Sequence, residues 1–396
     1  MITYVQTNVP AQMTYEEAIA RARTLASLVY TRAAAAEAQR RQPDETIQAI
    51  IDTGLVRLLV PKRWGGYELS FDALVDTVLE IARADGSAGW CYSFLLIHAW
   101  FLALLPDEAQ RDVWQHSPDI ALATSLAPAG RFTQVDGGYL LSGEWAWSSG
   151  VDYCEWNMLA ALPQDMRGGP RVFLLPKSDY EIHDTWFVAG QRASGSKNVI
   201  VKNVFIPEYR SVFMPALVHG QTPGLSRNTG PLYTLPLLSA FPTALVSPIL
   251  GATQGAYMTW QQTIKQKFTG LSHEQVATLT HQQIRLAEIA AEIDSAEQLL
   301  RRNLNVIRNG GPLDPALYAR NRRDYAYISR LSIQAVEQLY VNSGGGANYD
   351  TNPMQRYWRD VHAMGVHAAL NFDSAGEAFG RVALGLATNP HDSFAL

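Results

Sequence analysis

The spacing of hydrophobic positions changes twice along the chain. From Tyr15 to about Arg40 an Ala-rich stretch with Leu25, Leu28 and Val29 among Arg and Glu residues predicts a helix. Glu45–Thr53 predicts a second, closed by Gly54, and Phe71–Ala84 a third with Phe71, Leu74, Val75, Val78 and Ile81 on one face. Leu55–Pro61, followed by Lys62-Arg63-Trp64-Gly65-Gly66, reads as an apolar run and a loop. Asp85-Gly86-Ser87 caps a fourth helix, roughly Ala88–Leu104, whose apolar stripe carries Trp90, Phe94, Ile97, His98 and Phe101. Between about Ile120 and Pro207 the period falls to two, with Gly, Pro, Asn and Asp as punctuation. The expected strands are Ala121–Leu126, Phe132–Val135, Tyr139–Trp147, Asn157–Leu162, Val172–Leu175, Glu181–Trp186 and Asn198–Phe205. After a Pro/Gly-rich crossing from Met214 to Pro236, helical spacing returns over Leu237–Phe268, His273–Asn309, Asp314–Asn342 and Pro353–Ala387. Helices this long pack as an antiparallel bundle. The expected fold is α+β: an N-terminal helical domain (1–119), a central β domain (120–213) and a C-terminal four-helix bundle (214–396).

The densest chemistry lies in Gly137–Trp156, GGYLLSGEWAWSSGVDYCEW. Its alternation is that of a half-buried strand, with Gly143 as a bulge or close-approach point. Two tryptophans then lead into Ser148-Ser149-Gly150, which offers hydroxyls and a permissive backbone to a flat heteroaromatic ligand; an ordinary strand and tight turn reads equally from these residues. Trp186 to Ser196 repeats the theme, ending in Ser194-Gly195-Ser196, either a solvent turn or the second wall of one cradle. His98 has two readings as well. It is a core imidazole bonded to a backbone carbonyl, or it projects into a pocket roofed by Trp90. Gly344–Gly346, between the last two long helices, is a plain loop or a point of close backbone approach to a ligand or another subunit. Arg359 and Asp360 are expected to pair within the bundle. His362 and His367 are five apart, about 140° around a helix, which is not the spacing of a metal pair.

With 396 residues, 47% of them hydrophobic, the chain can bury a large core. A net charge of −5 without a basic run argues against nucleic acid or an anionic membrane as a main partner. Cys91 and Cys154 have no metal-site or CxxC spacing, and the start shows no signal-peptide pattern. No uninterrupted apolar run reaches a membrane span, so the expectation is a cytoplasmic protein without metal.

The order of helices, sheet and bundle resembles the acyl-CoA dehydrogenase fold over nearly the whole chain. Six segments, taken in order, are similar to one branch of it: LVRLLVPKRWGG (55–66), GSAGWCYSFLLIH (86–98), Gly137–Gly150, GQRASGS (190–196), VFIPEYR (204–210) and PMQRYWRDVHAMGVH (353–367). That branch is the two-component, reduced-flavin-dependent monooxygenases, which include the oxygenases of p-hydroxyphenylacetate 3-hydroxylase, steroid-ring hydroxylation and dibenzothiophene desulfurisation. Dehydrogenases of this fold typically place a Glu base shortly after the RD pair of the last helix, where this chain reads His367-Ala368-Ala369-Leu370.

The resemblance implies an oxygenase component that takes reduced FMN, or FAD, from a separate NAD(P)H-dependent reductase and uses O2 through a C4a-hydroperoxide to hydroxylate a small phenol- or indole-like substrate. No GxGxxG follows a strand and opens a helix, in keeping with reduction elsewhere. It assigns Ser149 to flavin N5, with Trp147, Ser148, Trp186 and Ser194-Gly195-Ser196 around the ring system. Gly344, Gly345 and Gly346, with Lys265 or Lys267, would reach the flavin phosphate, across a subunit boundary in a homotetramer. Trp90, Phe94, His98, Ser125, Asn157 and His367 would line the substrate pocket, and His98 and His367 share the proton handling. Trp145 joins Trp90, Phe94, Trp147 and Trp186 in the expected apolar enclosure. The alternatives are an FAD-dependent desaturase of the acyl-CoA dehydrogenase type, a flavin-dependent N-hydroxylase, or a non-enzymatic helical-bundle assembly protein.

Overall fold

The structure is a computed structural model and describes residues 9–270, 272–308, 310, 313–387 and 389. The chain start up to Asn8 and Asn309, the expected end of one long helix, lie outside the described residues. Helix α1 (Tyr15–Gln39) opens on Thr14, whose hydroxyl accepts the Glu17 N–H while the Glu17 carboxylate accepts from the Thr14 N–H, a capping box. Helices α2 (Asp44–Asp52) and α3 (Phe71–Ala84) follow. Helix α4 (Gly86–Leu102) is capped by the Asp85 carboxylate on the Ala88 N–H, and every one of its residues is buried. It forms the spine of the molecule, packed against α3, the sheet and the bundle helices. A short helix α5 (Asp107–Trp114), not expected from the sequence, leads into the sheet.

Among the described residues the sheet has seven strands: β1 (Leu122–Val135), β2 (Gly138–Ser148), β3 (Trp156–Pro163), β4 (Arg171–Pro176), β5 (Glu181–His183), β6 (Lys197–Pro207) and β7 (Ser211–Phe213). Their spatial order is β5-β6-β2-β1-β3-β4-β7. The two runs expected before Tyr139 are one strand, β1, with a register shift between Ser125 and Gly130 where it meets the parallel strand β3. β1 and β2 form an antiparallel hairpin. Gly143 is a bulge, as its sequence setting predicts: the register against β6 shifts beside it, and a Cβ there would run into Gly130 and the Trp145 ring. The strand expected over Glu181–Trp186 stops at His183, because Asp184 turns away to form an ion pair with Arg40 at 2.6 Å.

Beyond the sheet come α6 (Met214–Val218) and α7 (Leu237–Ala240), then the bundle of α8 (Thr243–Gln266), α9 (Thr280–Ile307), α10 (Pro315–Ser343), α11 (Pro353–Gly365) and α12 (Phe372–Ala383). Pro242 separates α7 from α8, which the sequence pattern runs together. The start expected at His273 moves to Thr280, since Gln275 bridges back to Phe268. The last long helix is two helices. α11 ends at Gly365, and Asn371 caps α12 through the Ser374 N–H at 2.9 Å, leaving His367 in the connecting turn. Leu237–Gln266 is long and apolar enough to cross a membrane, yet 83% of its apolar window is buried inside the molecule, where α8 packs on α3, α4, α10 and α11.

Candidate active site

Three elements converge at the end of β2. The first is α4, which presents Trp90, Phe94 and His98 one turn apart on a single stripe. Trp90 and Phe94 pack edge to face with centroids 4.8 Å apart, and Phe94 stacks on His98 at 5.0 Å. The second is the strand end itself. Trp147 sits at φ +62°, a left-handed conformation costly for a bulky residue, and its ring is 68% exposed. That twist buries Ser148, which accepts from Asn157 Nδ2 at 3.0 Å, and turns Ser149 toward α4. The third is the turn after α11, which brings the His367 ring to 6.2 Å from Trp90.

A chain of hydrogen bonds runs through the centre. Trp90 Nε1 donates to Ser149 Oγ at 3.1 Å; Ser149 Oγ and Ser196 Oγ are 2.7 Å apart; Ser196 and Ser194 hydroxyls are also 2.7 Å apart; and Ser194 Oγ donates to the Gln191 carbonyl at 2.9 Å. The Gly150 N–H donates to the Ser194 carbonyl at 3.0 Å, so the two Gly/Ser turns face each other as one cradle. Trp186 fixes the rim by donating its indole N–H to Gln191 O at 2.9 Å.

The turn carrying Gln191 is held from the bundle. Asp360 accepts the Gln191 N–H at 2.6 Å and the Ser87 hydroxyl at 3.0 Å, so it ties α11 to this turn and to α4. Arg359 reaches out too, donating to the Ala189 carbonyl at 2.8 Å and pairing with Glu37 at 2.5 Å. These contacts replace the pairing within the bundle expected from sequence. Arg356 lies 3.3 Å from Asp85. Burial pushes Asp360 above the usual carboxylate range and Asp85 up to about 7, the Asp85 shift being increased by the neighbouring Asp360 charge.

His98 takes the core role. Its Nδ1 donates to the Leu122 carbonyl at 2.9 Å and its Nε2 accepts the Thr124 hydroxyl at 2.9 Å, so neither ring nitrogen is free for a substrate. Burial, partly opposed by the Leu122 bond, lowers its pKa to about 4 and keeps the ring neutral. The expectation that His98 handles a proton is corrected by this geometry. Trp145 is corrected likewise: it is fully buried in the sheet, donating to Ala160 O at 2.6 Å. Ser125 and Asn157 brace the strand rather than opening onto a pocket. Ser125 donates to Ala146 O at 2.9 Å, and Asn157 is fully buried behind Ser148, its Oδ1 unpartnered among the described residues.

His367 retains freedom. Its Nδ1 accepts the Ala369 N–H at 3.2 Å, so the neutral ring carries its proton on Nε2. The residue is exposed in the single chain, while desolvation of its inner side lowers its pKa below the ordinary value. It borders a cavity of about 390 Å³ lined also by Arg330, Ile333, Leu370 and Phe372.

Lys267 and the glycine turn meet at another point. Lys267 Nζ donates to Ser343 O at 2.9 Å beside Gly344, while Lys265, two residues earlier, is exposed. No atom among the described residues lies within 4 Å of a Cβ position at Gly345 or Gly346. Among the described residues no hydrogen bond joins this group to the serine cradle. The tie from Asp360 to Gln191 is not legible in the sequence, where the Arg-Asp pair of the last helix is its one visible sign.

Residues 14–117 match the model of the acyl-CoA dehydrogenase N-terminal domain, and residues 243–372 that of the C-terminal domain. The flavin-dependent monooxygenase oxygenase subunit HsaA of Rhodococcus jostii is 36% identical over 373 residues, covering 90% of this chain and 95% of that one. This chain belongs to the flavin-dependent monooxygenases. The FADH2-dependent resorcinol hydroxylase oxygenase component of Rhizobium sp. is a further member, 34% identical over 93% of this chain and 94% of its own. The crystal structure of the HsaA monooxygenase from Mycobacterium tuberculosis superposes with a TM-score of 0.90 at 34% identity, covering 95% and 99% of the two chains. As a monooxygenase of this family the chain is an enzyme that works with reduced flavin. Its cradle suits that group: Ser149 is half-buried beside the indole of Trp90, with hydroxyls and a permissive turn around it.

Proposed function

We propose that this protein is the oxygenase component of a two-component system, hydroxylating a small phenol- or indole-like ring with reduced flavin delivered by a separate reductase. The observation that carries the reading is the convergence of Trp90, Ser149 and His367: a hydroxyl for the flavin edge, an apolar wall and an imidazole at one place. Bound reduced flavin would supply two electrons to O2, one oxygen atom passing to the substrate and the other leaving as water. The chain's own residues do the rest. Ser149 would hold the N5 edge, Trp147 and Trp186 would flank the ring system, and Trp90 with Phe94 would exclude water from the reacting face. His367 would hold its Nε2 proton toward the reacting oxygen, polarising it, and a ring that is neutral near pH 7 suits this. Lys267 with Gly344–Gly346 would receive the flavin phosphate of a neighbouring subunit in a homotetramer. The same reading places the protein in the cytoplasm.

The test is anaerobic titration with reduced FMN and, in parallel, reduced FAD, followed by air and a panel of phenols and indoles. Tight uptake of one reduced flavin with hydroxylated product is the expected outcome. Oxidation at the rate of free flavin without product, together with retained FAD that an acyl-CoA reduces, would replace the reading with the desaturase one.

A further inference from the structure

We infer that Ser196 and Ser194 are positioning residues that fix Ser149 as a hydrogen-bond acceptor, so that the cradle selects a flavin bearing N–H at its N5 edge over the oxidised form. The inference rests on the reading of Ser149 given above and adds residues that do not touch the reacting atoms.

The polarity follows from counting protons. Four contacts link Trp90 Nε1, Ser149 Oγ, Ser196 Oγ, Ser194 Oγ and the Gln191 carbonyl, at 3.1, 2.7, 2.7 and 2.9 Å. An indole N–H only donates and a carbonyl only accepts, and each of the three hydroxyls has one proton. Four protons for four contacts leave one arrangement that makes every bond. Trp90 donates to Ser149, Ser149 to Ser196, Ser196 to Ser194 and Ser194 to Gln191. Reversing any hydroxyl sets two oxygens lone pair to lone pair. Ser194 and Ser196 are 1% and 3% exposed, so water does not readily supply a substitute partner.

Both ends of the chain are anchored. Gln191 is held by its N–H on Asp360, and Trp90 is wedged against Phe94 on the fully buried α4. Ser149 therefore has its proton committed inward and one lone pair left for a ligand. Reduced flavin carries hydrogen at N5 and can donate to that lone pair. Oxidised flavin presents a bare nitrogen, which meets the same lone pair with repulsion.

The experiment measures dissociation constants of reduced FMN, anaerobically, and of oxidised FMN for the full chain and four variants. The unaltered protein binds reduced FMN at least about ten-fold more tightly than oxidised FMN. In Ser196→Ala the Ser149 proton is released to the ligand, and the ratio narrows by about ten-fold, lowering the potential of bound flavin by about 30 mV. Ser196→Thr keeps a hydroxyl and keeps the ratio. Ser194→Ala narrows it as well, because the Ser196 proton loses its acceptor and turns to Ser149, so the answer does not hang on the folding of one variant. An unchanged ratio in both alanine variants, with Ser149→Ala still weakening reduced FMN, overturns the relay and leaves the function standing. Failure of the unaltered protein to bind reduced FMN removes the function and the relay together.

Discussion

Asp360 on α11 accepts the Gln191 N–H at 2.6 Å, and this bond joins the helical bundle to the turn that holds the serine cradle. The same carboxylate takes the Ser87 hydroxyl at 3.0 Å, at the start of α4. A single buried side chain thus ties α11 to the start of α4 and to the turn that holds the serine cradle. The helix and turn approach so closely that a Cβ at Gly190 would collide with the Arg359 carbonyl.

Asp360→Ala leaves the Gln191 N–H and the Ser87 hydroxyl buried without an acceptor. The expected loss is about 2–4 kcal/mol in urea unfolding, accompanied by weaker uptake of reduced FMN as the turn is released. Asp360→Asn, which keeps one acceptor oxygen, should lose less in both measurements. Equal stability of the alanine variant and the unaltered protein would show that the tie is dispensable.

Trp147 bears the cost of the left-handed conformation at φ +62° while its ring is 68% exposed, so little burial repays it. Trp147→Gly should raise the stability of the ligand-free protein by about 1 kcal/mol. It should also weaken reduced-flavin binding, because a ring proposed to flank the flavin is gone. A stabilised variant with unchanged affinity would place the ring outside the flavin site.

Much of this arrangement is legible in the sequence, and the parts that are not have physical reasons. The period-two run over Tyr139–Trp147 and the bulge at Gly143 are written locally, in alternation and in a glycine, and the strand forms there. The two Gly/Ser turns read as a pair because each follows an aromatic residue. The break at His367 is hidden because apolar spacing continues across it, although Asn371-Phe372-Asp373-Ser374 is a capping sequence. The state of His98 could not be read at all. Whether a buried imidazole is satisfied depends on Leu122 and Thr124, which only the folded sheet brings to it.

His98 also sets a pH response of definite sign. Its folded pKa is lowered to about 4 from an ordinary value of 6.5. Below pH 6.5 the unfolded chain takes up a proton that the folded chain refuses, so the stability contributed by the neutral ring is full above 6.5 and is lost as pH falls toward 4. Asp85, raised to about 7, works in the opposite direction over an overlapping range, so the comparison must be made against a variant. Relative to His98→Gln, the unaltered protein should lose about 2 kcal/mol of unfolding free energy between pH 7 and pH 5. A constant difference would mean that His98 titrates normally.

His367 provides the sharpest separation of binding from chemistry. Its ring stands 6.2 Å from Trp90, in a turn of its own between α11 and α12, and its proton is carried on Nε2. His367→Asn can still accept the Ala369 N–H, so the turn and the stability of the fold should persist. The amide cannot exchange a proton near neutral pH, and general acid–base help of this kind is worth about 10²–10⁴-fold. Product formed per flavin oxidised should therefore fall at least about ten-fold, with hydrogen peroxide released in its place, while the dissociation constant for reduced FMN changes little. Product and peroxide measured in the same reaction check this. Undiminished product would move the proton-handling role to another residue, and a parallel loss of flavin affinity would make His367 a binding residue.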